Sequence, residues 1–411
     1  MWCHSELNCK SIGVGVYSVH MTTEKKKIVI IGAGFAGLTA VRRLAGNKQC
    51  DVSLIAPNTH FEYYPGLYRI VSDHIPFEVF VPMRYLIPES VTHYKTTVIS
   101  MDPQKQIVRT QSGDEIPYDS LVIATGTEVS DFGIIGVREY AHFVTSLTHL
   151  LQAKQELISK LQVHVVEMNP KPFTILVAGA GPTGVELTGE LSEMVKRFTQ
   201  SHPNMQGQVQ IKMIQRDLTV LPQLPKKVQE IATKRLTHLG VELLLGQTIQ
   251  TVQDDTLQTD IQSLPYDMFF WAAGSTQVPF IKNNPHMQLS PRKKVVVDGH
   301  LRAQGLENVY VCGDNAETQF SGLAQIAEQD GMHVATVLSC QINQTPPPRY
   351  VPRKPIYVIP IGDYFGILGL WGTVSSGFLP WLLRYAVDMR FFFFNLSLKD
   401  FLHISLHRKL K

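Results

Sequence analysis

The sequence predicts an α/β protein in which parallel strands alternate with helices, and three observations support this prediction. An apolar strand runs into a glycine-rich turn and a helix at "IVIIGAGFAG", residues 28–37. The same order returns at "TILVAGAGPTGVE", residues 174–186. Two further apolar strands, "LVIATG" at 121–126 and "FFWAAG" at 269–274, also end in a glycine turn. Strand–turn–helix units of this kind build open sheets with helices on both faces.

Composition indicates a globular chain and disfavours several classes of function. The chain has 411 residues, 44% of them hydrophobic, and a formal net charge of +3. This length suits two or three domains with an ample core. The small charge and the lack of a dense basic face disfavour a nucleic-acid partner. The five cysteines are scattered without metal-ligand spacing, so we expect a reducing compartment and no metal site.

The glycine motifs and a proline-rich linker, "QTPPPRYVPRKP", divide the chain into segments. The predicted segments are a disordered extension (1–24), a first nucleotide-binding domain in two parts (25–135 and 281–344), a second such domain between them (136–280) and a C-terminal region (345–411). A targeting sequence is the alternative for the extension, because a patchy apolar run follows Lys10.

Both glycine turns match the pattern GxGxxG. The matching residues are Gly32, Gly34 and Gly37 in the first motif and Gly179, Gly181 and Gly184 in the second. In such a motif the first glycine allows a tight turn, the second lets the backbone approach a pyrophosphate, and the third lets the helix pack on the strand. One match alone could be a structural turn. Two matches, each with a strand before and a helix after, predict two Rossmann-like domains and an enzyme that binds two dinucleotides.

Five motifs in order resemble the two-dinucleotide-binding-domain flavoproteins over residues 27–344. The three motifs besides the two GxGxxG turns are "ATG" (Ala124, Thr125, Gly126), "WAAG" with Ala273 and Gly274, and "VYVCGD" with Gly313 and Asp314. The resemblance implies that the first domain binds FAD and that the second binds NADH or NADPH. It also implies that these motif residues contact the cofactors, with Asp314 on the ribityl chain of the flavin.

The positions of the cysteines help to decide which branch of this family the chain resembles. Disulfide reductases use a closely spaced redox cysteine pair, and sulfide:quinone oxidoreductases depend on cysteines that flank the flavin. Here Cys50 and Cys312 are solitary, and the second glycine motif contains no cysteine. Cys312 lies in an apolar strand pattern, where a small core residue is the simpler interpretation. Sulfur chemistry is therefore disfavoured.

The stretch "GLAQIAEQDG", residues 322–331, resembles the AQxAxQ pattern of type II NADH dehydrogenases, which are single-subunit quinone reductases. The resemblance implies a helix between the flavin ring and a quinone pocket. The quinone-binding residues would be Ala324, Gln325, Ala327 and Gln329. The two glutamines are also predicted to be catalytic. The glutamines share a helix face, and an amide can donate a hydrogen bond to a quinone carbonyl without bringing charge. A surface helix with two solvated glutamines is the alternative.

Glu186 resembles the glutamate that this family places beside the nicotinamide, which implies a catalytic role. We expect it in the first turn of a helix, where the helix dipole would stabilise a carboxylate even without a ligand. Hydride transfer itself needs the nicotinamide positioned on the flavin rather than an acid or base. Quinone reduction does need two protons, and the sequence identifies no donor.

Residues at the ends of two strands bear on how the nucleotides are bound: one on the choice between NADH and NADPH, the other on the binding of FAD. The strand "VQIKMIQRD" has Gln215 where NADH-selective domains have an acid, and Arg216 follows it. Without an acid to repel the 2′-phosphate, we expect NADPH to be accepted as well as NADH. The alternative is that Arg216 points into water while Gln215 bonds the ribose. In the first domain Ala56 stands at the corresponding place, so either Asn58 substitutes or FAD is held less tightly.

The C-terminal segment from residue 375 to residue 411 is rich in aromatic residues, which Arg384, Asp388, Arg390 and Lys399 interrupt. A membrane-spanning helix needs ~20 apolar residues with few charges, so a span is not expected. The pattern predicts an amphipathic membrane-anchoring segment that lies in the lipid interface. The alternative is a helix that covers the core of the protein or a dimer partner.

These predictions combine into a peripheral membrane enzyme that oxidises NAD(P)H through FAD and reduces a membrane quinone without pumping protons. We expect it on the cytoplasmic face of a bacterial inner membrane, with a homodimer as an open possibility. One alternative is a soluble FAD-dependent reductase of a ferredoxin-like protein. The other is a flavoprotein that resembles the apoptosis-inducing factor.

Overall fold

The computed structural model describes residues 24–73, 79–168, 170–401 and 404. The predicted disordered extension therefore lies outside the described residues, apart from Glu24. The end of the predicted membrane-anchoring segment lies outside them as well.

The strands of the described residues are short and belong to several sheets. In chain order they are β1 (Lys26–Ile31), β2 (Cys50–Ile55), β3 (His60–Glu62), β4 (Phe80–Pro82), β5 (Thr92–Tyr94), β6 (Val98–Asp102), β7 (Ile107–Thr110), β8 (Glu115–Pro117), β9 (Ser120–Ile123), β10 (Thr127–Val129), β11 (His142–Phe143), β12 (Phe173–Ala178), β13 (Val209–Gln215), β14 (Val241–Leu245), β15 (Ile249–Val252), β16 (Thr256–Thr259), β17 (Ser263–Pro265), β18 (Met268–Trp271), β19 (Ser275–Gln277), β20 (Val309–Val311), β21 (Tyr357–Pro360), β22 (Gly366–Leu370) and β23 (Thr373–Gly377).

The α-helices of the described residues are, in chain order, α1 (Phe35–Ala45), α2 (Val137–Tyr140), α3 (Leu147–Glu167), α4 (Pro182–Ser201), α5 (Lys226–His238), α6 (Pro279–Lys282), α7 (Ala324–Ile342) and α8 (Phe378–Asn395). The 3-10 helices are Tyr64–Ser72, Met83–Tyr85, Pro203–Met205 and Gly313–Asn315.

The first glycine motif lies at the edge of a parallel five-stranded sheet of order β20-β9-β1-β2-β5. Its central strand β1 ends at Ile31, and the Gly32 turn leads directly into α1. Helices α1 and α7 pack closely, because Gly331 leaves its Cα against the carbonyl of Ala36. This contact places α7 beside the first glycine turn.

The second glycine motif lies in a parallel five-stranded sheet of order β11-β18-β12-β13-β14. Every residue of its central strand β12 is buried, as the apolar run predicts. In each sheet the chain continues from the motif strand to a neighbour on one side (β2 or β13), and a strand from later in the chain (β9 or β18) pairs on the other side, so both glycine turns lie at switch points. Ligands bind at such points, outside the carboxyl ends of the strands. The predicted α/β fold class with two Rossmann-like units is confirmed.

The C-terminal region forms an antiparallel sheet, β21-β22-β23, followed by helix α8. The ring of Phe391 lies 5.1 Å from that of Phe35 and 5.2 Å from that of Phe61, measured between ring centroids. Phe391 and Phe392 are both buried in the main core cluster. Helix α8 therefore packs against the rest of the chain, as the alternative to membrane anchoring proposed.

The polarity of α8 differs from the expectation for an interfacial helix. Asp388 is completely buried and Arg384 is only 9% exposed, so two charges expected in water face the protein. Besides contacting each other, they have partners far away in the chain, at Tyr63, Pro65 and Arg69, so the local pattern does not specify which face is buried. The solvent side of α8 is mostly apolar instead, with Arg390 as its charged residue: its exposed apolar residues are Phe378, Leu379, Leu382, Leu383, Ala386, Val387, Phe393 and Phe394. Among the described residues, no helix is long and apolar enough to cross a bilayer.

Candidate active site

The first glycine motif has the geometry that a dinucleotide requires. Gly32 has φ +100°, and a side chain there would collide with the carbonyl of Ala124. Gly37 is equally restricted, because its Cα lies against the carbonyl of Gly32. Gly34 is the opposite case, since a Cβ there would meet nothing within 4 Å. The first and third glycines thus shape the turn, and the second presents bare backbone, as the approach of a pyrophosphate requires.

A cleft of about 590 Å3 adjoins this turn at the carboxyl ends of β1, β2 and β9. Its lining includes Ile31, Gly32, Ile55, Pro57 and Thr125. The size and place of the cleft suit the adenosine part of a dinucleotide. Ala56 is buried and Asn58 is exposed beside this cleft, so the proposed substitution by Asn58 remains a prediction.

The second glycine motif repeats the same geometry. Gly179 has φ +98°, and a Cβ there would lie 2.9 Å from the backbone of Ala273. At Gly181 a Cβ would meet nothing within 4 Å, whereas Gly184 lies against the carbonyl of Gly179. Gly274 also has positive φ, and the ring of Phe132 packs directly on it. The residues of this motif therefore fit a second dinucleotide.

The end of β13 is tied to the second glycine turn. Gln215 accepts a hydrogen bond at Oε1 from the backbone N–H of Ala180, at 3.0 Å. Its Nε2 donates to Oδ2 of Asp217 at 2.6 Å. Arg216 is exposed between them. The structure thus places an acid, Asp217, next to Gln215, which the prediction on nucleotide choice overlooked.

Asn315 connects the "ATG" turn to the "GD" turn, and the motif analysis did not single it out. Its Oδ1 accepts from the N–H of Gly126 at 2.8 Å, and its Nδ2 donates to the carbonyl of Gly126 at 2.6 Å. Nδ2 also donates to Oε1 of Gln277 at 2.8 Å. Asn315 is completely buried and holds together three segments that are distant in sequence. Its position directly after "GD" was the only available signal.

The "GD" turn is bound to α7. The N–H of Gly313 donates to Oδ2 of Asp330 at 3.0 Å, and Oδ1 of Asp314 accepts from the N–H of Gly322 at 3.0 Å. Burial raises the pKa of Asp330 to about 6. Lys294 donates to the carbonyl of Asp314 at 3.2 Å, and burial lowers its pKa. The bond to Asp330 holds α7 next to the turn that the resemblance assigns to the flavin, and the other two fix the turn itself.

Cys312, directly before this turn, is completely buried. Burial raises the pKa of its thiol well above the usual value, which disfavours the reactive thiolate. Its interpretation as a small core residue is confirmed.

The two glutamines of α7 lie on one face, as their spacing predicts, and this face contacts the proline-rich linker and the residue that follows it. Gln325 accepts at Oε1 from the N–H of Ile356 at 3.3 Å, and Gln329 accepts from the N–H of Arg353 at 3.0 Å. Ala324 begins the helix, and Ala327 is buried near Gly313. The quinone-binding role of these four residues remains a prediction.

Glu186 was expected in the first turn of its helix, but it lies in the second turn of α4. Helix α4 begins at Pro182 and has no acidic residue in its first turn. Stabilisation by the helix dipole is therefore not the main influence on this carboxyl. Glu186 is only 8% exposed, and burial raises its pKa to about 7. Oε1 of Glu186 lies 3.8 Å from Nη1 of Arg384, whose charge acts against this rise.

A buried ionic cluster surrounds Arg384. Asp388 accepts from Nη1 of Arg69 at 2.9 Å, from the hydroxyl of Tyr63 at 2.8 Å and from Nε of Arg384 at 3.3 Å. The ring of Tyr385 lies 4.8 Å from the Arg69 guanidinium. Sequence analysis missed this cluster because its members are far apart in the chain. The available signal was the pair of opposite charges at i and i+4 inside an apolar helix.

Among the residues that the structure describes, no group of three or more His, Cys, Asp or Glu side chains is placed to hold a metal ion.

Two parallel sheets, each with a GxGxxG turn suited to a pyrophosphate, define a protein that binds two dinucleotides. Residues 26–331 match the family described as pyridine nucleotide-disulphide oxidoreductase. This is more than half of the chain, and the protein therefore belongs to that family. The predicted bounds of the individual domains remain predictions.

Two relatives of the chain have names that describe an activity. The chain is 27% identical over 338 residues to a protein from Arabidopsis thaliana named external alternative NAD(P)H-ubiquinone oxidoreductase B2, mitochondrial. The match covers 76% of this chain and 58% of that protein, so the chain spans less than two thirds of its relative's length. It is 26% identical over 384 residues to a probable NADH dehydrogenase from Dictyostelium discoideum, covering 87% of this chain and 84% of the relative.

Solved structures share the fold. NDH2 from Plasmodium falciparum, in complex with NADH, has a TM-score of 0.79 at 18% identity and covers 93% of this chain and 97% of its own. The sulfide:quinone oxidoreductase from Aquifex aeolicus has a TM-score of 0.76 at 18% identity and covers 89% and 90%. The predicted resemblance to type II NADH dehydrogenases is confirmed by the relatives. The bacterial inner membrane remains a prediction, and the Arabidopsis relative is named as mitochondrial.

Proposed function

We propose that this protein oxidises NADH or NADPH and passes two electrons through FAD to a membrane quinone, without pumping protons. The single observation that carries the proposal is the pairing of two GxGxxG turns with a helix, α7, that is hydrogen-bonded to the "GD" turn. The Arabidopsis relative is named as an NAD(P)H-ubiquinone oxidoreductase. Because this chain spans 58% of that protein, the name supports the proposal but does not replace a test.

The first domain would hold FAD. Bare backbone at Gly34 would receive the pyrophosphate at the N-terminus of α1, where the helix dipole favours a negative charge. Asn315 keeps the "ATG" and "GD" turns together, which supports Asp314 as the residue that would contact the ribityl chain. Bound FAD supplies the chemistry of accepting two electrons as a hydride and giving them to a second acceptor.

The second domain would hold the nicotinamide nucleotide. Gly181 presents bare backbone to the pyrophosphate, and Gln215 lies where the adenosine ribose is expected. Glu186 follows in the second turn of the same helix, where it would lie near the nicotinamide. The task of this domain is to position the nucleotide, since hydride transfer needs no protein acid or base.

Helix α7 would form one wall of the quinone site. The amide oxygens of Gln325 and Gln329 hold the linker, so their amide nitrogens are the groups that we expect to donate to a quinone carbonyl. Small side chains at Ala324 and Ala327 leave room for a flat ring. The test is rapid mixing of the purified yellow protein, first with NADH and then with a short-chain quinone.

In this experiment Gln325→Leu should leave bleaching of the flavin by NADH fast and slow its re-oxidation by quinone about two- to tenfold, the effect of one lost hydrogen bond. Gln341→Leu is the matched control, because Gln341 lies on the same helix and bonds Tyr310 instead. Unchanged re-oxidation in Gln325→Leu would remove α7 from the quinone site. A parent protein that reacts with NADH but with no quinone would contradict the proposed function itself.

The apolar outer face of α8 would attach the protein to the lipid surface. Burying several exposed aromatic side chains at ~25 cal/mol per Å2 gives enough affinity for peripheral association. The face could serve a homodimer instead. Truncation before Gly377 does not distinguish these cases, because it would also remove the buried Arg384 and Asp388.

Point substitutions on this outer face are therefore the better test of membrane attachment. Phe394→Ser combined with Leu379→Ser should reduce flotation with lipid vesicles at least severalfold, without loss of bound flavin. Ile261→Ser is the control, since Ile261 is equally exposed but lies in the second domain. Unchanged flotation, together with a fall of the particle mass in solution from that of a dimer to that of a monomer, would assign the face to a dimer.

A further inference from the structure

Helix α8 brings a buried cation to Glu186. Nη1 of Arg384 lies 3.8 Å from Oε1 of Glu186, and the same guanidinium is held in place by other partners. It donates to the carbonyl of Val358 at 3.2 Å, to the carbonyl of Pro65 and to Asp388. Its position therefore does not depend on Glu186. The 3.8 Å distance is longer than a hydrogen bond, so the contact with Glu186 is a charge interaction.

The surroundings of Glu186 are otherwise unfavourable to a carboxylate. The residue is buried, and Glu190 lies one helical turn further along α4, where it accepts from the hydroxyl of Ser72. Asp388 brings a second negative charge, which Arg69 and Tyr63 already contact. Burial and these two anions raise the pKa of Glu186, whereas Arg384 and Arg69 lower it. Arg384 is the larger of the two lowering influences.

A second unusual group lies in the same cluster. Tyr68 is completely buried, and its hydroxyl has no hydrogen-bond partner among the described residues. Burial raises the pKa of this hydroxyl, so it remains protonated. A buried hydroxyl without a partner is costly, so its presence beside Arg69 and Arg384 calls for an explanation. Nearby Arg69 and Arg384 favour negative charge here, and Glu186 is the side chain in the cluster that can gain and lose a proton near neutral pH.

We propose that Arg384 is a positioning residue for Glu186: helix α8 holds its cation beside this carboxyl and thereby sets how tightly the carboxyl binds a proton. The inference rests on the proposed function, because reduction of a quinone to a quinol by NADH takes one hydrogen from the nucleotide as a hydride and needs one further proton. Glu186 can give this proton, with its O–H bond breaking and the electron pair staying on the carboxylate. The carboxylate then regains a proton from solvent, and the group returns to its starting state.

The role of Arg384 differs from that of a purely structural ion pair. Asp388 keeps Arg69 and Tyr63 as partners without it, so the anion of the cluster would remain satisfied. Glu186 would instead lose the nearest cation. An opposite charge within about 4–6 Å lowers the pKa of a carboxyl by about one unit or more. Removal of Arg384 should therefore leave Glu186 protonated to a higher pH.

The direct test is an infrared titration of Glu186 in the purified, flavin-loaded protein, without NADH or quinone. The C=O stretch of the protonated carboxyl is identified as the band that Glu186→Gln removes. In Arg384→Gln the midpoint of this band should rise by about one pH unit or more. Arg384→Lys keeps the cation and should return the midpoint close to that of the parent protein.

Arg390→Gln is the matched control. Arg390 lies on the same helix but is half exposed and pairs with Glu328 at 2.9 Å, outside the cluster. This variant should leave the midpoint unchanged. An unmoved midpoint in folded Arg384→Gln, or an equal shift in Arg390→Gln, would overturn the proposal. Arg384→Met is made alongside, and if neither neutral variant folds while Arg384→Lys does, Arg384 serves the fold and the proposal fails.

A kinetic measurement connects the titration to the reaction. The pH above which flavin re-oxidation by a short-chain quinone slows should rise in Arg384→Gln by the same amount as the infrared midpoint. Reduction of the flavin by NADH should keep its pH dependence. A rise in the infrared midpoint without a change in the quinone step would overturn the role in quinone reduction. Absence of any quinone turnover in the parent protein would instead contradict the proposed function and leave the infrared result to stand by itself.

Discussion

The two glycine-rich units and the C-terminal helix α8 reach their structures in different ways. In the units, one residue determines the local geometry: Gly32 and Gly179 have φ near +100°, which other residues rarely adopt. In α8, the orientation depends on partners elsewhere in the chain, since Asp388 contacts Arg69, more than three hundred positions earlier. The comparison teaches that a local backbone constraint can be recognised in a sequence, whereas a face chosen by tertiary partners cannot.

The polarity of α8 shows this most clearly. A helix with charges on one side and apolar residues on the other is normally placed with its charges in water. Here Arg384 and Asp388 face inward, and Phe394 is 74% exposed. A buried charge is tolerated only when it is paired and hydrogen-bonded, and the Asp388 carboxylate meets both conditions.

The largest effect should come from a change at the local constraint. Gly32→Ala would force an alanine into φ +100° and against the carbonyl of Ala124, which cannot move without shifting β9. We expect a loss of more than about 4 kcal/mol of unfolding free energy, in the range of severe core disruption. Chemical denaturation followed by circular dichroism measures it.

Gly34→Ala is the control for this prediction, because a methyl group there meets no atom of the protein. It should fold like the parent protein but bind less flavin, since the methyl group lies where the pyrophosphate approaches. The ratio of flavin to protein absorbance reports this difference. Equal stability of the two variants would contradict the constraint, and full flavin content in Gly34→Ala would place the pyrophosphate elsewhere.

The second prediction concerns the tertiary partners of α8. Asp388→Asn removes the anion between Arg69 and Arg384 and leaves two buried cations close together. Breaking a buried pair in this way should cost about 3 kcal/mol of unfolding free energy. Arg390→Gln breaks the exposed pair with Glu328 on the same helix and should cost less than about 1 kcal/mol. Similar stabilities for both variants in urea unfolding would show that α8 is not docked through Asp388.

The parts that the sequence predicted correctly depend on short stretches. The strand, turn and helix of each unit follow one another directly in the chain, from Lys26 to Ala45 and from Phe173 to Ser201, and apolar runs such as "FTILVA" form fully buried strands. The predicted position of Glu186 was wrong for a local reason: Gly184 lies inside α4, and the helix begins earlier, at Pro182.

The remaining features could not be predicted because they arise where distant segments meet. Asn315 is important through its contacts with Thr125, Gly126 and Gln277, and periodicity does not indicate these contacts. The same holds for the linker that bonds Gln325 and Gln329. A pattern of polar and apolar residues describes a helix, but it does not say which of its faces another segment will cover.

The third prediction uses the pH dependence of stability to compare Glu186 with an ordinary surface acid. Its pKa is about 7 in the folded protein, against 4.5 for an unperturbed glutamate. Between these pH values the unfolded chain releases a proton that the folded chain keeps, so a rise in pH favours unfolding. The contribution of Glu186 is therefore fully present below pH 4.5 and is lost as the pH rises through 7.

The expected loss over this window is about 3 kcal/mol at most. Glu186→Gln cannot release a proton, so its unfolding free energy should depend less on pH than that of the parent protein. Glu230→Gln, at an exposed position of α5, should keep the parent's dependence. Urea unfolding at pH 5, 6 and 7.5 measures the three proteins. Parallel curves for Glu186→Gln and the parent would show that Glu186 titrates normally.

The smallest effect concerns nucleotide choice in the second unit, where a local motif meets side chains that it does not specify. Gln215→Glu keeps an oxygen for the N–H of Ala180 and adds a negative charge beside Asp217. This charge should repel the 2′-phosphate of NADPH; about 1 kcal/mol, a small part of a full charge interaction, shifts the preference about fivefold towards NADH. Asp217→Asn removes the acid already present and should shift the preference towards NADPH.

Values of kcat/KM for both nucleotides test these two variants. Since the two variants change charge in opposite directions at neighbouring positions, a general loss of affinity cannot imitate opposite shifts. A ratio unmoved in both would mean that the 2′-position is recognised elsewhere, with exposed Arg216 as the next residue to replace.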